Sequence, residues 1–277
     1  MAAKTVLNYI PKKSIVHELT GTTKLILFLL FSIVSMITFD IRVLAALFIF
    51  SLLTFKLSKI RYKEVAFMFN FTIIFTLINF IVLYLFNPNY GPDLYGTRTV
   101  LLHIVGRYDV TVEQLFYQLH VSSKYLIGLP LAIMFVSTTN PSELASSLNA
   151  IGIPYKVSYA FSLALRYIPD IQKDYHDISL SQQARGVMLG KDVKLWTRFK
   201  NAITIVLPLI LVSIARIDTI SNAMDLRCFG KNKKRTWYMR KKFSKKDYVV
   251  LTTCIIFAVL CLVVTFSNGS RFYNPFK

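Results

Sequence analysis

The apolar residues of this chain are gathered into six blocks separated by short polar segments. The blocks are Leu25–Phe39, Val43–Phe55, Val65–Phe86, Val121–Val136, Ala202–Ile217 and Val249–Phe266. A helix needs about 20 apolar residues to cross the hydrocarbon core of a bilayer, because it rises only about 1.5 Å per residue. The third block and the charge-free sixth block qualify outright as predicted membrane-spanning helices.

The first two blocks are short and are separated by Asp40, Ile41 and Arg42. Polar residues at this position predict a tight helical hairpin whose corner reaches the membrane surface. One long, kinked helix is the alternative. Composition agrees with a bilayer environment, because 54% of the 277 residues are hydrophobic and only 17% are charged, which is too apolar for a water-soluble domain.

The basic residues are unevenly distributed, and short loops rich in Lys and Arg stay on the cytoplasmic side of a membrane. The segment from Asn140 to Lys246 holds 19 Lys and Arg against 7 Asp and Glu. The loop between the second and third blocks is basic as well, whereas the stretch from Asn87 to Leu119 is weakly acidic. The charges therefore predict a cytoplasmic N-terminus, about four crossings in residues 1–139, a cytoplasmic region over 140–246, and a last crossing with a tail over 247–277.

The predicted cytoplasmic region has a helical pattern. Asn140 and Pro141 form a typical helix start, and this first helix should end near Asn149. A longer amphipathic helix follows and should end near Arg185 and Gly186. A third runs from about Leu195 to Arg227. Its apolar middle is short and has basic flanks, so insertion into the bilayer and an interfacial position both remain open.

An arginine lies in the last turn of each of the two long helices, at Arg185 and Arg227. The helix dipole alone favours a cation there, by about 0.3–1 kcal/mol. The more specific alternative is docking, because a guanidinium presents five donors in a fixed plane that can bind carboxylates and carbonyls of a partner.

Three motifs in a fixed order resemble the T component of energy-coupling-factor (ECF) type ABC transporters. They are Thr138-Thr139-Asn140-Pro141-Ser142-Glu143-Leu144, Leu163-Ala164-Leu165-Arg166-Tyr167-Ile168-Pro169, and Gln183-Ala184-Arg185-Gly186. The resemblance is closest from about Thr111 to Gly230. It implies an all-α, polytopic protein of the prokaryotic cell membrane with about five transmembrane helices and long amphipathic cytoplasmic coupling helices.

The resemblance also implies the partners and the docking residues. In that family the T component joins two ABC-type ATPases to a small membrane S component that captures a vitamin or another micronutrient, and ATP and Mg are bound by the ATPases. By position, Ala184, Arg185 and Gly186 match the first docking motif fully. Leu226, Arg227 and Cys228 keep only the arginine of the second.

Other functional classes find little support in the sequence. We expect no catalytic residues and no cofactor in this chain, because the nearest approach to a phosphate-binding loop, at residues 186–192, has the wrong spacing. The four histidines, His17, His103, His120 and His176, are scattered singly and predict no metal site. Nucleic acid is not an expected partner, because no zinc, RNP-like or helix-turn-helix pattern accompanies the basic residues. Membrane lipids are expected partners.

Two alternatives from other classes remain open at this stage. A stand-alone secondary transporter would normally show internal repeats and charged or broken segments at the middle of the membrane. A membrane enzyme acting on lipid would use the basic region to bind headgroups. The sequence shows neither repeats nor a catalytic constellation, and it does not name the substrate.

Overall fold

The computed structural model describes Lys12 and residues 14–103, 108–188, 195–232, 236–237, 240–267 and 272–275, except for the side chains of residues 195 and 198. These residues are mostly helical. The helices are α1 (Ile15–Glu18), α2 (Gly21–Ile37), α3 (Ile41–Leu57), α4 (Tyr62–Phe86), α5 (Tyr90–Tyr95), α6 (Val112–Thr138), α7 (Pro141–Ala150), α8 (Tyr155–Ala184), α9 (Leu195–Leu226) and α10 (Lys245–Phe266).

A small antiparallel sheet interrupts the helices between α5 and α6. It pairs β1 (Val100–Leu102) with β2 (Val110–Thr111), and Val100 lies opposite Thr111. The sequence pattern did not predict these strands. They are too short for the period-two alternation of a strand to be recognisable.

Four of the described helices are long and apolar enough to cross a membrane: Tyr62–Phe86, Val112–Thr138, Phe199–Leu226 and Lys245–Phe266. The apolar helix Gly21–Ile37 is shorter, with 17 residues. The expectation of an all-α polytopic membrane protein is thus confirmed. The long apolar part of α9 makes the inserted position physically possible for that helix, beside the interfacial one.

The predicted hairpin between the first two apolar blocks is confirmed, and one long kinked helix is wrong. α2 ends at Ile37, and α3 begins at Ile41 after three residues. The Asp40 carboxylate caps α3 by accepting from the backbone amide of Arg42 at 2.9 Å. It also pairs with the guanidinium of that residue at 3.1 Å.

The chain divides into two compact units. One includes Leu144–Arg240, and the other includes Val6–Glu143 with Lys241–Lys277. The partition of the sequence into 1–139, 140–246 and 247–277 concerned sides of the membrane, which compactness does not test, so it stays a prediction.

The second unit is a bundle in which α2, α3, α6 and α10 share one core. The side chain of Phe31 is completely buried there. Its ring centroid lies 4.4 Å from that of Phe50 on α3 and 5.9 Å from that of Phe257 on α10. The core therefore joins helices that are far apart in the sequence.

The first unit contains most of α7 and all of α8 and α9, which closely follow the predicted helices. Asn140 caps α7 as expected, accepting from the Ser142 amide at 3.1 Å. Pro169 lies inside α8, and Pro208 lies inside α9. The two long helices pack against each other within this unit.

Candidate functional site

The end of α8 is a Schellman motif. Ala184 is its last helical residue, and Arg185 is the C-cap. Gly186 follows with φ +87°. Its amide donates to the carbonyl three residues back at 2.9 Å, and the amide of Val187 donates to the carbonyl five residues back at 3.0 Å. These two bonds satisfy carbonyls that the helix end would otherwise leave without partners.

The end of α9 has the same backbone geometry. Leu226 is its last helical residue, and Arg227 occupies the C-cap position. Cys228 follows with φ +53°. The amides of Cys228 and Phe229 donate to the carbonyls three and five residues back, both at 2.9 Å. The two ends therefore match in structure although their sequences share only the arginine.

All six residues predicted for docking are exposed: Ala184, Arg185, Gly186, Leu226, Arg227 and Cys228. Leu226 is 87% exposed, so its apolar side chain is available to a partner. The structure therefore presents both arginines to the surroundings at capped helix ends. The three residues around Arg185 thus lie together at one helix end, and the three around Arg227 lie together at the other.

Contacts between α8 and α9 show that the two helices are antiparallel. Near the end of α8, the Met188 carbonyl accepts from Asn201 Nδ2 at 2.8 Å. Farther along α9, Arg216 pairs with Asp174 at 2.6 Å. Because the helices run in opposite directions, Arg185 and Arg227 lie at opposite ends of the pair. At about 1.5 Å per residue, this order separates them by roughly 35–40 Å.

The end with Arg227 is held by aromatic rings. The Phe229 ring lies 4.7 Å from that of Tyr159 and 5.6 Å from that of Tyr155, both in the first turns of α8. Trp237 extends the cluster, since its indole nitrogen donates to Asn149 Oδ1 at 3.0 Å. Offset and edge-to-face ring pairs are each favourable by about 0.5–1.5 kcal/mol beyond their buried area. This cluster fixes Phe229, the residue after the positive-φ position of the cap.

A buried polar cluster that the sequence did not predict lies in the second unit, where α2, α6 and α10 meet. Lys24 is 1% exposed, and its ammonium donates to the Thr138 carbonyl at 2.9 Å. Asp247 is completely buried and accepts from the Thr20 amide and the Thr23 hydroxyl, both at 2.9 Å. Buried charges persist where such partners compensate for lost hydration. The cluster therefore fixes the starts of α2 and α10 to the end of α6.

Glu143, in the first turn of α7, belongs to the same cluster. Its carboxylate accepts from the Gly21 amide at 2.8 Å and lies 3.4 Å from the Lys241 ammonium. At the edge of the cluster, Lys246 donates to Glu18 at 2.7 Å, and this hydrogen bond lowers the pKa of Glu18 below its ordinary value. The sequence signal was the capping box Ser244-x-x-Asp247 before the last apolar block. In the sequence, Glu143 stood out only as a member of the first of the three motifs.

The histidines lie in unrelated places. His17 contacts Ser14, His103 pairs with Asp109, and His120 is buried beside the Phe116 carbonyl. Within the described ranges, no group of three or more His, Cys, Asp or Glu residues is arranged to hold a metal ion. The weak resemblance to a phosphate-binding loop at 186–192 falls largely outside the described residues, because residues 189–192 are among those the structure does not describe.

The fold and the site together define a polytopic α-helical membrane protein that presents two arginine-capped helix ends from an antiparallel pair of helices. Residues 12–238 match the family model CbiQ, described as a cobalt transport protein. The chain belongs to this family and is a transmembrane T component of the energy-coupling-factor transporters.

Relatives named energy-coupling factor transporter transmembrane protein EcfT match along nearly their whole length. The protein from Staphylococcus aureus is 29% identical over 275 residues, covering 94% of this chain and 96% of the relative. Those from Bacillus selenitireducens and Bacillus subtilis are 26% and 24% identical and cover 94% and 91% of this chain and 97% and 94% of their own lengths. A T component is one subunit of a multi-subunit membrane transporter.

Proposed function

We propose that this chain couples two ABC-type ATPases to a small membrane S component in an importer for vitamins or other micronutrients. The ATPases bind ATP and Mg and hydrolyse the nucleotide, while the S component selects the cargo. The observation that carries the proposal is the repetition of one cap, with an exposed arginine, at the two C-termini of α8 and α9.

In this proposal Arg185 and Arg227 each bind one ATPase. Arginine suits such a contact because its planar guanidinium can bind a carboxylate in a two-pronged way and is weakly hydrated. The flanking residues, Ala184 and Gly186 at one end and Leu226 and Cys228 at the other, form the surface around each guanidinium. Since the caps fix the backbone, ordering the docking segments costs little entropy on binding.

The S component would contact the apolar faces of the two long helices. α8 exposes Val157, Phe161 and Ile171, and α9 exposes a longer apolar series that includes Leu207 and Leu211. Uncovered apolar faces of this extent indicate a membrane or protein partner. ATP-driven movement of the ATPases would then move α8 and α9 and, through them, the S component.

The docking hypothesis is tested by comparing three changes at the arginines. We expect the double variant Arg185→Ala, Arg227→Ala to insert into the membrane normally and to lose uptake coupled to ATP. We expect Arg185→Lys, Arg227→Lys to fail nearly as badly, because lysine keeps the charge but lacks the planar donor array. A helix-dipole role alone predicts full activity with lysine. Undiminished uptake in the alanine double variant would overturn docking.

Lys173→Ala supplies the matched control, since this exposed cation lies on α8 more than two turns before the cap. Its uptake should equal that of the parent chain. Co-purification adds a second readout. The parent chain and Lys173→Ala should carry two ATPase subunits from the membrane, whereas the arginine double variant should not. Transport or lipid turnover by the chain alone would favour a stand-alone secondary transporter or a lipid-acting enzyme instead.

We further propose that the N-terminus and both arginine ends face the cytoplasm, as the basic charge distribution favours. Cys228 is an exposed thiol, whereas Cys254 and Cys261 are buried. A membrane-impermeant maleimide should therefore label this thiol in inverted vesicles and not in intact cells. Labelling in intact cells would place this segment outside. Cys228→Ser controls for reaction at the other thiols.

A further inference from the structure

An apolar groove of about 340 Å³ opens between α4 and α6 in the second unit. Phe67, Phe71 and Thr72 line it from α4, and Leu129, Ala132 and Ser137 from α6. Its volume lies in the range of about 300–1,000 Å³ that ligand sites in proteins occupy. The groove is not part of the arginine ends or of the buried polar cluster.

The groove is open to the surroundings of the helices. Phe67 is 82% exposed and Phe71 is 62% exposed, so these rings form a wall and do not fill a core. Both helices are long and apolar enough to cross the membrane. Water is therefore not the natural occupant of a groove lined almost entirely by apolar atoms.

A cation lies on α4 about one turn beyond the residues that line the groove. Lys63, Phe67 and Phe71 are four residues apart along α4 and so share one face of the helix. Lys63 is exposed and lies in the first turn of α4, about 6 Å along the axis from the first ring of the groove. The lysine therefore lies where α4 leaves the apolar layer.

The charge around Lys63 is positive. Lys56 lies in the last turn of α3, Lys59 and Arg61 lie in the short segment before α4, and Glu64 is the acidic residue beside them. The Glu64 carboxylate is already engaged by the Lys12 ammonium at 2.6 Å. An anionic group at Lys63 would thus meet several cations, and its attraction to each basic residue near the membrane surface is favourable.

We propose that this groove binds an anionic phospholipid, with one acyl chain between α4 and α6 and the headgroup phosphate at Lys63. The apolar walls of the groove match the acyl chain of such a lipid, and the nearby cation matches its anionic headgroup. A helix from a partner protein would cover the same walls but would give no reason for the nearby cation. The proposal is independent of what Arg185 and Arg227 bind.

Site-directed fluorescence quenching tests the proposal on the full chain in phosphatidylcholine vesicles. The reporter is Phe71→Trp, and the quenching of the parent chain, which has two tryptophans, is subtracted. We expect brominated phosphatidylglycerol to quench the added indole with about a fivefold preference over brominated phosphatidylcholine at low salt. High salt should reduce the preference, since an exposed charge pair is screened.

Three matched variants make the result specific. Ile73→Trp places a reporter at nearly the same depth on the opposite face of α4, 46% exposed at the parent residue, and should show no preference. Lys63→Gln should remove the preference at the Phe71→Trp reporter. Ala132→Leu narrows the groove and should lower quenching by both lipids there. If Phe71→Trp does not fold, Phe67→Trp replaces it on the same wall.

Three outcomes would overturn the proposal. One is an equal preference at the groove reporter and at the Ile73→Trp reporter, which would mean general attraction of the lipid. The second is a preference that survives Lys63→Gln. The third is quenching that is present in the lone chain and lost in the assembled transporter, because a protein would then occupy the groove.

Discussion

The two arginine ends have the same backbone and different surroundings. At the α8 end, Met188 is 69% exposed, and the Asn201 amide contacts its carbonyl. At the α9 end, Phe229 is held between two tyrosine rings. Among the described residues, local hydrogen bonds thus build both caps, one polar contact supports the α8 end, and aromatic packing supports the α9 end. A partner would meet a more adaptable surface at Arg185 and a more rigid one at Arg227.

The ends also differ in the residue that takes positive φ. Gly186 adopts this backbone conformation at little cost, because it has no Cβ. Cys228 adopts it with a side chain, and left-handed backbone costs an ordinary residue about 1–2 kcal/mol. The α9 end therefore combines a more strained cap with more supporting contacts.

The largest expected effect comes from removing one arginine at a time. Hydrogen bonds to charged groups contribute about 1.5–3 kcal/mol, so Arg185→Ala and Arg227→Ala should each weaken ATPase binding by roughly 10- to 100-fold. Titration of the purified ATPases onto the reconstituted chain measures this. If only one variant lost affinity, the similarity of the ends would be structural and not functional.

Removing the Phe229 ring should loosen the α9 end alone. Phe229→Ala eliminates two ring contacts, which should destabilise this end locally by about 1–2 kcal/mol. Hydrogen exchange should rise at residues 224–230 and stay unchanged at 182–187. Phe199→Ala is the control, because that ring is 63% exposed. Unchanged exchange at 224–230 would show that the rings do not hold this cap.

A reciprocal exchange at the positive-φ positions tests whether the caps are equivalent. A Cβ on Gly186 would meet no atom within 4 Å, so Gly186→Ala should cost about 1–2 kcal/mol from backbone strain alone. Cys228→Gly should gain about 0.5–1 kcal/mol, since relief of strain exceeds the entropy glycine adds to the unfolded chain. Thermal unfolding measures both. Destabilisation by Cys228→Gly would contradict the left-handed cap at the α9 end.

The smallest effect is expected from the side chain that contacts the segment after Arg185. Asn201→Ala removes one exposed hydrogen bond to the Met188 carbonyl, which should cost about 0.5–1 kcal/mol. Protease sensitivity after residue 188 should increase slightly, and ATPase binding should not change. A large loss of binding would mean that the α8 end is as tightly fixed as the α9 end.

Much of the first unit could be predicted from the sequence because its signals are local. Asn140 and Pro141 marked the start of α7, and the apolar periodicity gave α8 and α9 almost to their ends. Gly186 marked the first cap directly. Cys228 gave no such signal, since cysteine has no preference for left-handed backbone, and only the structure shows that both caps are alike.

The second unit was less predictable because its features depend on contacts distant in sequence. Lys24 reads as a flanking charge before an apolar block, yet it is buried against the end of α6. Asp247 reads as part of a helix cap, yet it also binds the start of α2. Hydropathy locates helices in a membrane, but it does not say which polar residues meet between them.

The antiparallel order of α8 and α9 has a consequence for symmetry. Two helices that run in opposite directions and end in the same cap are related by an approximate twofold axis through their midpoint, near the Arg216–Asp174 pair. Two equivalent ATPases can also be related to each other by a twofold axis. A single asymmetric chain can thus offer matching contacts to two equivalent partners, provided that their binding clefts are as far apart as the two caps.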